Sequence, residues 1–265
     1  MKNKTTVIAT LMLMAGCASG PPELPYPAFI QVDELEDIFM ASLPGVRAKQ
    51  LSGDSQTSNR IDLPKDWKGT SGGVPGRSME IYVITGALTV ADIVLESGGY
   101  AFLPAGSLGF NLEAREGARI LYFVNDSDPE SVIRSPIIIN SDLLPWQDTA
   151  KLGVSSKELR KDPGNGAKTW LVRVSTGAAQ AWESSSAARE AYLVTGNQQY
   201  AECVNGEVEL WQYAPGGYFY RPADTISGGP DSFALTESIW VMRETSEGES
   251  KTWPSCVVQE TDPQP

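Results

Sequence analysis

Histidine is absent from this 265-residue sequence, and its absence excludes several kinds of chemistry. Serine and cysteine nucleophiles usually depend on a histidine base, so neither kind of hydrolytic site is expected. No Gly-Lys-Ser/Thr phosphate loop is present either. The few clustered acids lie at residues 126–130 and at Asp224 and Asp231, and we interpret them as capped turns rather than a Ca²⁺ or Mg²⁺ site.

Basic residues are scarce as well. The chain has 21 Lys and Arg against 33 Asp and Glu, a formal net charge of −12. Such a surface repels phosphate backbones, so nucleic acid is not expected as a partner. The same charge also serves solubility alone, and it does not by itself indicate a function.

Long hydrophobic runs are missing: residues 7–14 are apolar but too few to span a bilayer. Lys2 and Lys4 precede this run, and Leu-Met-Ala-Gly-Cys ends it at Cys17. The pattern resembles a bacterial lipoprotein signal, which implies cleavage after residue 16 and diacylation of Cys17. Two acyl chains suffice for stable anchoring. The alternative is ordinary secretory cleavage, which leaves Cys17 free.

The resemblance to a lipoprotein signal also implies a location. It predicts a protein anchored in the bacterial cell envelope through lipid, facing the periplasm from the outer membrane. Residues 17–30 are rich in proline and predict an extended tether.

Only two cysteines remain beyond Cys17, namely Cys203 and Cys256. In an oxidising compartment they can form one disulfide, which would pin the C-terminal tail, residues 251–265, to the preceding domain. Two unpaired thiols are the alternative.

What the sequence does contain is a duplication. Residues 79–86 (MEIYVITG) return at 189–196 (REAYLVTG), and each copy is followed by Gly-Gly-Tyr and a proline. A shared pattern, GVxxKxLxxD, precedes each copy, from Gly45 and from Gly153. We therefore predict two related domains, at residues 31–135 and 136–250.

Short β-branched and aromatic runs between Gly, Pro and Asp turns predict strands throughout both domains. In the first domain they cover residues 58–63, 80–85, 88–94, 99–103 and 119–124, and in the second 170–174, 190–195, 199–204, 207–213, 217–221 and 239–243. A short helix is predicted only over residues 32–41. The fold class is therefore all-β.

The repeated stretch resembles the cupin pattern. Gly98-x5-Pro104-x-Gly106 matches the second cupin motif, and Gly216-x5-Pro222 matches it with Asp224 in place of the last glycine. The whole order of landmarks is similar to an uncharacterised family of tandem cupins related to anti-sigma-factor cupins. The resemblance implies two tandem jelly-roll β-barrels of the RmlC type.

The resemblance also implies where a metal would be held, and there the sequence departs from it. Cupin metal ligands are three histidines and a glutamate. The histidine positions hold Gly109 and Ser227, with residues 72–75 and 182–185 at the His-x-His region. The glutamate position holds Met79 and Arg189, while Glu80 and Glu190, one residue later on the strand, should point to the opposite face. No metal and no cofactor are therefore expected.

Arg189 instead suggests an anion site, because a guanidinium binds carboxylate or phosphate with two parallel hydrogen bonds. Trp182, Tyr218, Tyr220 and Arg221 are the candidate lining residues in the second barrel. The alternative is that Arg189 pairs with Glu183 or faces solvent. In the first barrel, Met79 and Phe110 indicate a filled apolar core.

Three functions stay open from the sequence. The first is a small-ligand-binding or protein-interaction module, with a small anion as the candidate ligand. The second is a metal-independent isomerase or lyase using Arg and carboxylate groups. The third is a structural envelope protein that forms a homodimer through strand edges.

Overall fold

The computed structural model describes residues 30–53 and 57–256, which form an almost entirely β structure. In the first half the strands are Ile30–Gln31 (β1), Arg47–Ser52 (β2), Thr57–Leu63 (β3), Trp67–Gly72 (β4), Arg77–Gly86 (β5), Leu88–Val90 (β6), Ile93–Leu95 (β7), Gly99–Leu103 (β8), Gly109–Ala114 (β9), Ala118–Asp126 (β10) and Ile137–Asn140 (β11). In the second half they are Gln147–Asp148 (β12), Val154–Lys161 (β13), Lys168–Val174 (β14), Trp182–Ser185 (β15), Arg189–Thr195 (β16), Gln198–Val204 (β17), Glu207–Tyr213 (β18), Gly217–Arg221 (β19), Phe233–Ala234 (β20), Ser238–Glu244 (β21) and Ser250–Trp253 (β22). Two 3-10 turns, Val32–Glu34 and Ser141–Leu143, complete the elements. No helix among these residues is long and apolar enough to cross a membrane.

Each repeat forms a barrel made of two facing sheets. In barrel 1 the sheet β11-β8-β5-β10-β3-β2 faces β4-β9-β6-β7. In barrel 2 the sheet β1-β19-β16-β21-β14-β13-β12 faces the smaller sheets β18-β17-β20 and β15-β22. The two large sheets have corresponding strands in the same order, as a duplicated sequence requires. The predicted all-β class is confirmed.

Strand alternation fills each barrel and also joins the two. Along β5, Met79, Ile81 and Val83 point into the core of barrel 1, whereas Tyr82 and Ile84 point out of it. The outward side chains of both large sheets meet in a third apolar cluster between the barrels, to which Tyr82 and Tyr192 contribute equivalent positions. Both faces of each large sheet are therefore largely buried.

The barrels also exchange their leading segments. Strand β1 precedes barrel 1 but pairs with β19 of barrel 2, and β11 precedes barrel 2 but pairs with β8 of barrel 1. The 3-10 turns continue the exchange: Val32 N donates to Gly216 O at 3.0 Å, and Ser141 N donates to Gly98 O at 3.2 Å. The predicted boundary between residues 135 and 136 thus separates the repeats in sequence, but residues 137–140 belong to the sheet of barrel 1.

A buried ionic network lies at the centre of the contact between the barrels. Glu80 is fully buried and its Oε1 accepts from Arg160 Nη2 at 3.1 Å and from Arg243 Nη2 at 3.0 Å. Its Oε2 accepts from Tyr100 Oη at 2.6 Å and from Thr169 Oγ1 at 2.5 Å. Burial raises the pKa of Glu80, but the two guanidinium groups outweigh burial, so that the pKa lies well below its usual range. A carboxylate of barrel 1 is thereby held by cations of barrel 2.

The Thr-Gly ending of each repeated strand has a steric cause. Gly86 and Gly196 adopt φ values of 80° and 87°. A Cβ atom at Gly86 would lie 2.4 Å from Gly117 O, and one at Gly196 would lie 2.2 Å from Glu237 O. Only glycine fits both the backbone conformation and the close approach.

Three local predictions are wrong. Residues 32–41 do not form a helix, because the 3-10 turn ends at Glu34 and Ile38 N instead donates to Ala48 O at 2.7 Å, in extended geometry. The strand predicted over 88–94 is two strands, separated by a turn in which Ala91 and Asp92 have positive φ. The C-terminal tail is not wholly separate from domain 2, since β22 pairs with β15; residues 257–265 lie outside the described chain.

Candidate functional site

The inside of barrel 2 contains a cavity of about 230 Å³. Its lining is partly apolar and partly polar. The apolar part is formed by Val154, Trp170, Val172, Val174, Trp240 and Met242, and the polar part includes Lys151, Gln180, Glu183, Ser185, Arg189, Arg221 and Ser227. This combination is typical of sites for small molecules.

Arg189 lines this cavity because of its position on β16. Ala191 and Leu193 point into the core of barrel 2, and Arg189 shares their face by the two-residue period of a strand. Glu190 lies on the other face, where its carboxylate accepts from Tyr218 Oη and from Arg243. Met79 and Glu80 divide between the two faces of β5 in the same way. The structure thus turns Glu80 and Glu190 away from the barrel interiors, as the sequence predicted.

Arg221 lies directly opposite Arg189 on the neighbouring strand β19. Two like charges in such a cross-strand pair repel each other unless they are compensated. Glu244 compensates Arg189, accepting on one oxygen from Nε at 2.8 Å and from Nη2 at 2.5 Å. Glu202 compensates Arg221, which donates from Nε at 3.0 Å and from Nη2 at 2.5 Å.

Both carboxylates are buried, and this fixes the guanidinium groups in place. Glu244 is 1% exposed and Glu202 is 2% exposed. Burial lowers the pKa of Arg221, but the charge of Glu202 outweighs burial and raises that pKa above the ordinary arginine value. Arg221 therefore stays charged at every physiological pH.

A row of charges crosses four strands at this end of the barrel. Arg221, Arg189, Glu244 and Lys168 are successive partners on β19, β16, β21 and β14. Lys168 Nζ reaches the second oxygen of Glu244 at 2.9 Å and lies 4.6 Å from the centre of the Trp170 ring. With Glu202 included, three cations face two carboxylates, so the row carries one net positive charge in an acidic protein.

Three of the predicted lining residues lie elsewhere. Tyr218 is buried between the barrels, and Tyr220 lies on the same outward face of β19 with 45% exposure. The alternation of a strand prevents either from sharing a face with Arg221. Trp182 packs outside the barrel in a small cluster with Ala201 and Ile226. The predicted pocket is therefore reduced to Arg189 and Arg221.

The partner predicted as an alternative for Arg189 is also different. Glu183 forms an ion pair with Lys151, and Arg189 pairs with Glu244. Sequence reasoning missed both Glu202 and Glu244. A signal was available for one of them, since Glu244 ends the strand that pairs with β16 and faces the same side as Met242.

The hairpin β17–β18 is the main difference between the barrels. Its two strands have seven residues each, whereas β6 and β7 have three each. These eight extra residues explain why the repeat spacing grows from 110 residues at Tyr82 and Tyr192 to 118 at Gly98 and Gly216. Glu202 and Cys203 both lie on the longer β17, so the partner of Arg221 belongs to a feature of barrel 2 alone.

Cys203 and Cys256 form a disulfide with a Cα–Cα distance of 5.3 Å. It joins the end of β17 to the segment after β22. Strand β22 pairs with β15, and Trp253 Nε1 donates to Ser184 Oγ at 3.0 Å. Since Ser184 and Ser250 both line the cavity, the disulfide fastens one of its walls.

The described residues that fill barrel 1 form an apolar core rather than an ionic one. Met79 and Phe110 pack within its apolar core, as predicted. Residues 69–73 read Gly-Thr-Ser-Gly-Gly, which matches the Gly-x-Ser-x-Gly pattern of nucleophile elbows. Ser71 lies within strand β4, buried, and its hydroxyl is 2.9 Å from Tyr122 Oη. Without a strand-to-helix turn or a histidine base, Ser71 is a structural residue.

Two barrels, each made of two facing sheets, define a jelly-roll fold of the cupin type. The chain belongs to the family described as domain of unknown function DUF4437, whose model matches residues 40–249. No curated protein matches the sequence.

Solved structures share the fold. The chain is similar to a candidate dioxygenase from Nostoc punctiforme, with 19% identity, a TM-score of 0.68 and coverage of 85% of this chain and 86% of the other. YlbA from E. coli is 17% identical, with a TM-score of 0.66 and coverage of 83% of this chain and 90% of the other. Bacillus subtilis oxalate decarboxylase is 11% identical, with a TM-score of 0.63 and coverage of 88% of this chain and 80% of the other. At such identities the likeness confirms the jelly-roll fold and leaves activity open.

The side chains do not fit the metal that this fold can hold. Mn(II) centres are named for the oxalate decarboxylase. Here Ser227 lines the cavity of barrel 2 and Gly109 pairs with Gly72 at the start of β9. Arg189 and Arg221 present cations where a metal would need neutral or anionic donors. Residues 30–53 and 57–256 contain no group of three Cys, Asp or Glu side chains positioned to bind a metal.

Proposed function

We propose that this protein is an envelope-anchored module whose second barrel binds a small anion without a metal. The observation that carries the proposal is the pair Arg189 and Arg221, opposite each other and both lining one cavity. Each uses its Nε–Nη2 edge on a buried carboxylate, and no partner is found for either Nη1 among the residues described. These remaining donors suit a carboxylate or phosphate.

The anchoring half of the proposal rests on the sequence alone. Cys17 and the tether at residues 17–30 lie almost wholly outside the described chain, which begins at Ile30. The lipoprotein-like signal and the use of Cys203 and Cys256 in a disulfide both support an exported protein.

A titration tests the binding function. Acetate, oxalate and phosphate would be added to the protein while heat release and tryptophan fluorescence are followed. Oxalate is included because one protein of this fold is named for acting on it. We expect at least one of these anions to bind, and Arg189→Gln to weaken it about tenfold or more, the loss of a charged hydrogen bond.

Arg189 is the better residue to change, because Glu244 keeps Lys168 as a partner when Arg189 is removed. Arg189→Lys keeps the charge but loses the planar fork, and it should recover only part of the affinity. Arg115→Gln, at an exposed arginine of barrel 1, is the control. Equal affinity in wild type and Arg189→Gln would reject this site.

The metal-independent isomerase or lyase is the second candidate. Such an enzyme needs a group that gains or loses a proton near neutral pH. Burial raises the pKa of Tyr200, which lines the cavity, so its phenol keeps its proton and can donate a hydrogen bond but not act as a base. This observation favours binding over catalysis.

The homodimer is a third proposal, and the edge strand β18 supports it. Val208 and Leu210 on this strand are 47% and 53% exposed. If β18 pairs with its copy, Leu210→Lys should lower the sedimentation coefficient to that of a monomer. A wild-type protein that sediments as a monomer at high concentration would contradict the proposal.

A further inference from the structure

The cavity of barrel 2 has a second property besides its two arginines, namely the apolar part of its lining. We infer that its ligand is a small monocarboxylate with an apolar body about the size of one ring. The inference rests on the proposed function, which requires only an anion, and it adds both the charge and the shape of that anion.

The charge follows from the pairing inside the site. Three cations and two carboxylates form ion pairs beside the cavity, and of these Arg189 and Arg221 line it; the other members of the row are Lys168, Glu202 and Glu244. The pair of Lys151 with Glu183, which also lines the cavity, is neutral. One positive charge is left, which a monoanion neutralises. A dianion would leave one negative charge uncompensated beside buried glutamates, and this is unfavourable where water is scarce.

The shape of the ligand follows from the volume of the cavity and from the apolar part of its lining. A cavity of about 150 Å³ lined by apolar side chains is known to hold benzene. The present cavity has about 230 Å³, which leaves room for a carboxylate beside a ring. Trp170, Val172 and Trp240 give the lining an apolar part, and the guanidinium groups of Arg189 and Arg221, paired across two strands, give it a charged part. A ligand with one charged end and one apolar end therefore matches both surfaces.

Four probes separate the contributions of the two ends. Benzoate carries both the charge and the ring, acetate the charge with little body, oxalate two charges without an apolar body, and benzamide the ring without the charge. Each would be titrated into the whole protein by calorimetry at one ionic strength. We expect benzoate to bind about tenfold or more tighter than acetate, because burying a ring removes apolar surface from water. Oxalate and benzamide should bind more weakly than benzoate.

A substitution in the apolar part of the lining tests where the ring of the ligand lies. Val172 is half-buried and points into the cavity. Val172→Phe fills part of the space, so it should weaken benzoate about tenfold or more and change acetate little. Val172→Thr keeps the volume and adds a hydroxyl, and it should weaken benzoate several-fold; it serves if the larger change prevents folding.

The outcomes distinguish the two proposals. If oxalate or acetate binds as tightly as benzoate, the anion site stands and the apolar body is wrong. If benzamide equals benzoate, or if none of the anions binds, the proposed anion-binding function itself is wrong. If benzoate is preferred but both Val172 variants bind it like wild type, the ring does not lie against this apolar lining and the inference is overturned.

Discussion

Replacing Glu80 by Gln is expected to destabilise the protein severely, because Glu80 is the central acceptor between the barrels. Its two carboxylate oxygens accept from five side chains: Arg160, Arg243, Asn125, Tyr100 and Thr169. Gln keeps the shape but removes the charge, and its NH₂ group would face groups that are themselves donors. The change therefore leaves a buried cation without its partner carboxylate.

The two arginines would not suffer equally. Arg243 retains Glu190 as a partner, whereas Glu80 is the carboxylate that pairs with Arg160, whose side chain is 6% exposed. Breaking a buried ion pair by removing one member costs about 3–5 kcal/mol. A protein of this kind has a total stability of about 5–15 kcal/mol, so the loss is a large fraction of it.

Urea unfolding followed by circular dichroism measures this loss. The matched control is Glu116→Gln, which breaks an exposed pair with Lys65 at 3.1 Å and should change the midpoint little. Combining Glu80→Gln with Arg160→Met removes the unpaired buried charge of Arg160 and should recover part of the stability. If Glu80→Gln unfolds at the same urea concentration as Glu116→Gln, the network does not hold the barrels together and the reasoning is wrong.

Three further results are expected. The pKa of Glu80 is lowered in the folded state from an ordinary value of 4.5, so its contribution to stability is complete above about pH 5 and decreases as the pH falls below that. The urea midpoint should therefore drop between about pH 5 and 3, and it should drop less in Glu80→Gln; equal drops in both proteins would exclude Glu80 as the cause. Replacing Cys203 and Cys256 together by Ser opens a loop of 53 residues and should cost about 4 kcal/mol in the free energy of unfolding; an unchanged urea midpoint would contradict this. Mass spectrometry of membrane-extracted protein should find diacylglycerol on Cys17, and an unmodified Cys17 would refute the anchor.

Much of the fold could be predicted because the signals were local. The strands at residues 99–103, 207–213 and 217–221 were predicted with the bounds that the structure has. Each combines aromatic or β-branched residues with a clear glycine turn. The duplication supplied the rest of the architecture, since two copies of one pattern fold alike.

The missed strands lack that local signal. Strand β4 reads WKGTSG and β22 reads SKTW, so polar residues and glycine dominate both. They form through pairing with β9 and β15, which are distant along the chain. The exchange of β1 and β11 between the barrels is long-range for the same reason.

The site could be predicted only in part. Counting from Gly86 and Gly196 correctly turned Glu80 and Glu190 outward, because a strand alternates strictly. The same rule, applied along β19, would have excluded Tyr218 and Tyr220 once Arg221 was placed inward. Glu202 could not be found this way, since its position depends on the extended hairpin β17–β18.

The central claim is that barrel 2 binds an anion through arginine and not through a metal. The protein, purified without a histidine tag, would be titrated with benzoate before and after treatment with EDTA, and its metal content measured on the same sample. The account predicts the same affinity in both titrations and far less than one transition metal per chain. One bound metal per chain, with binding lost on chelation, would contradict it.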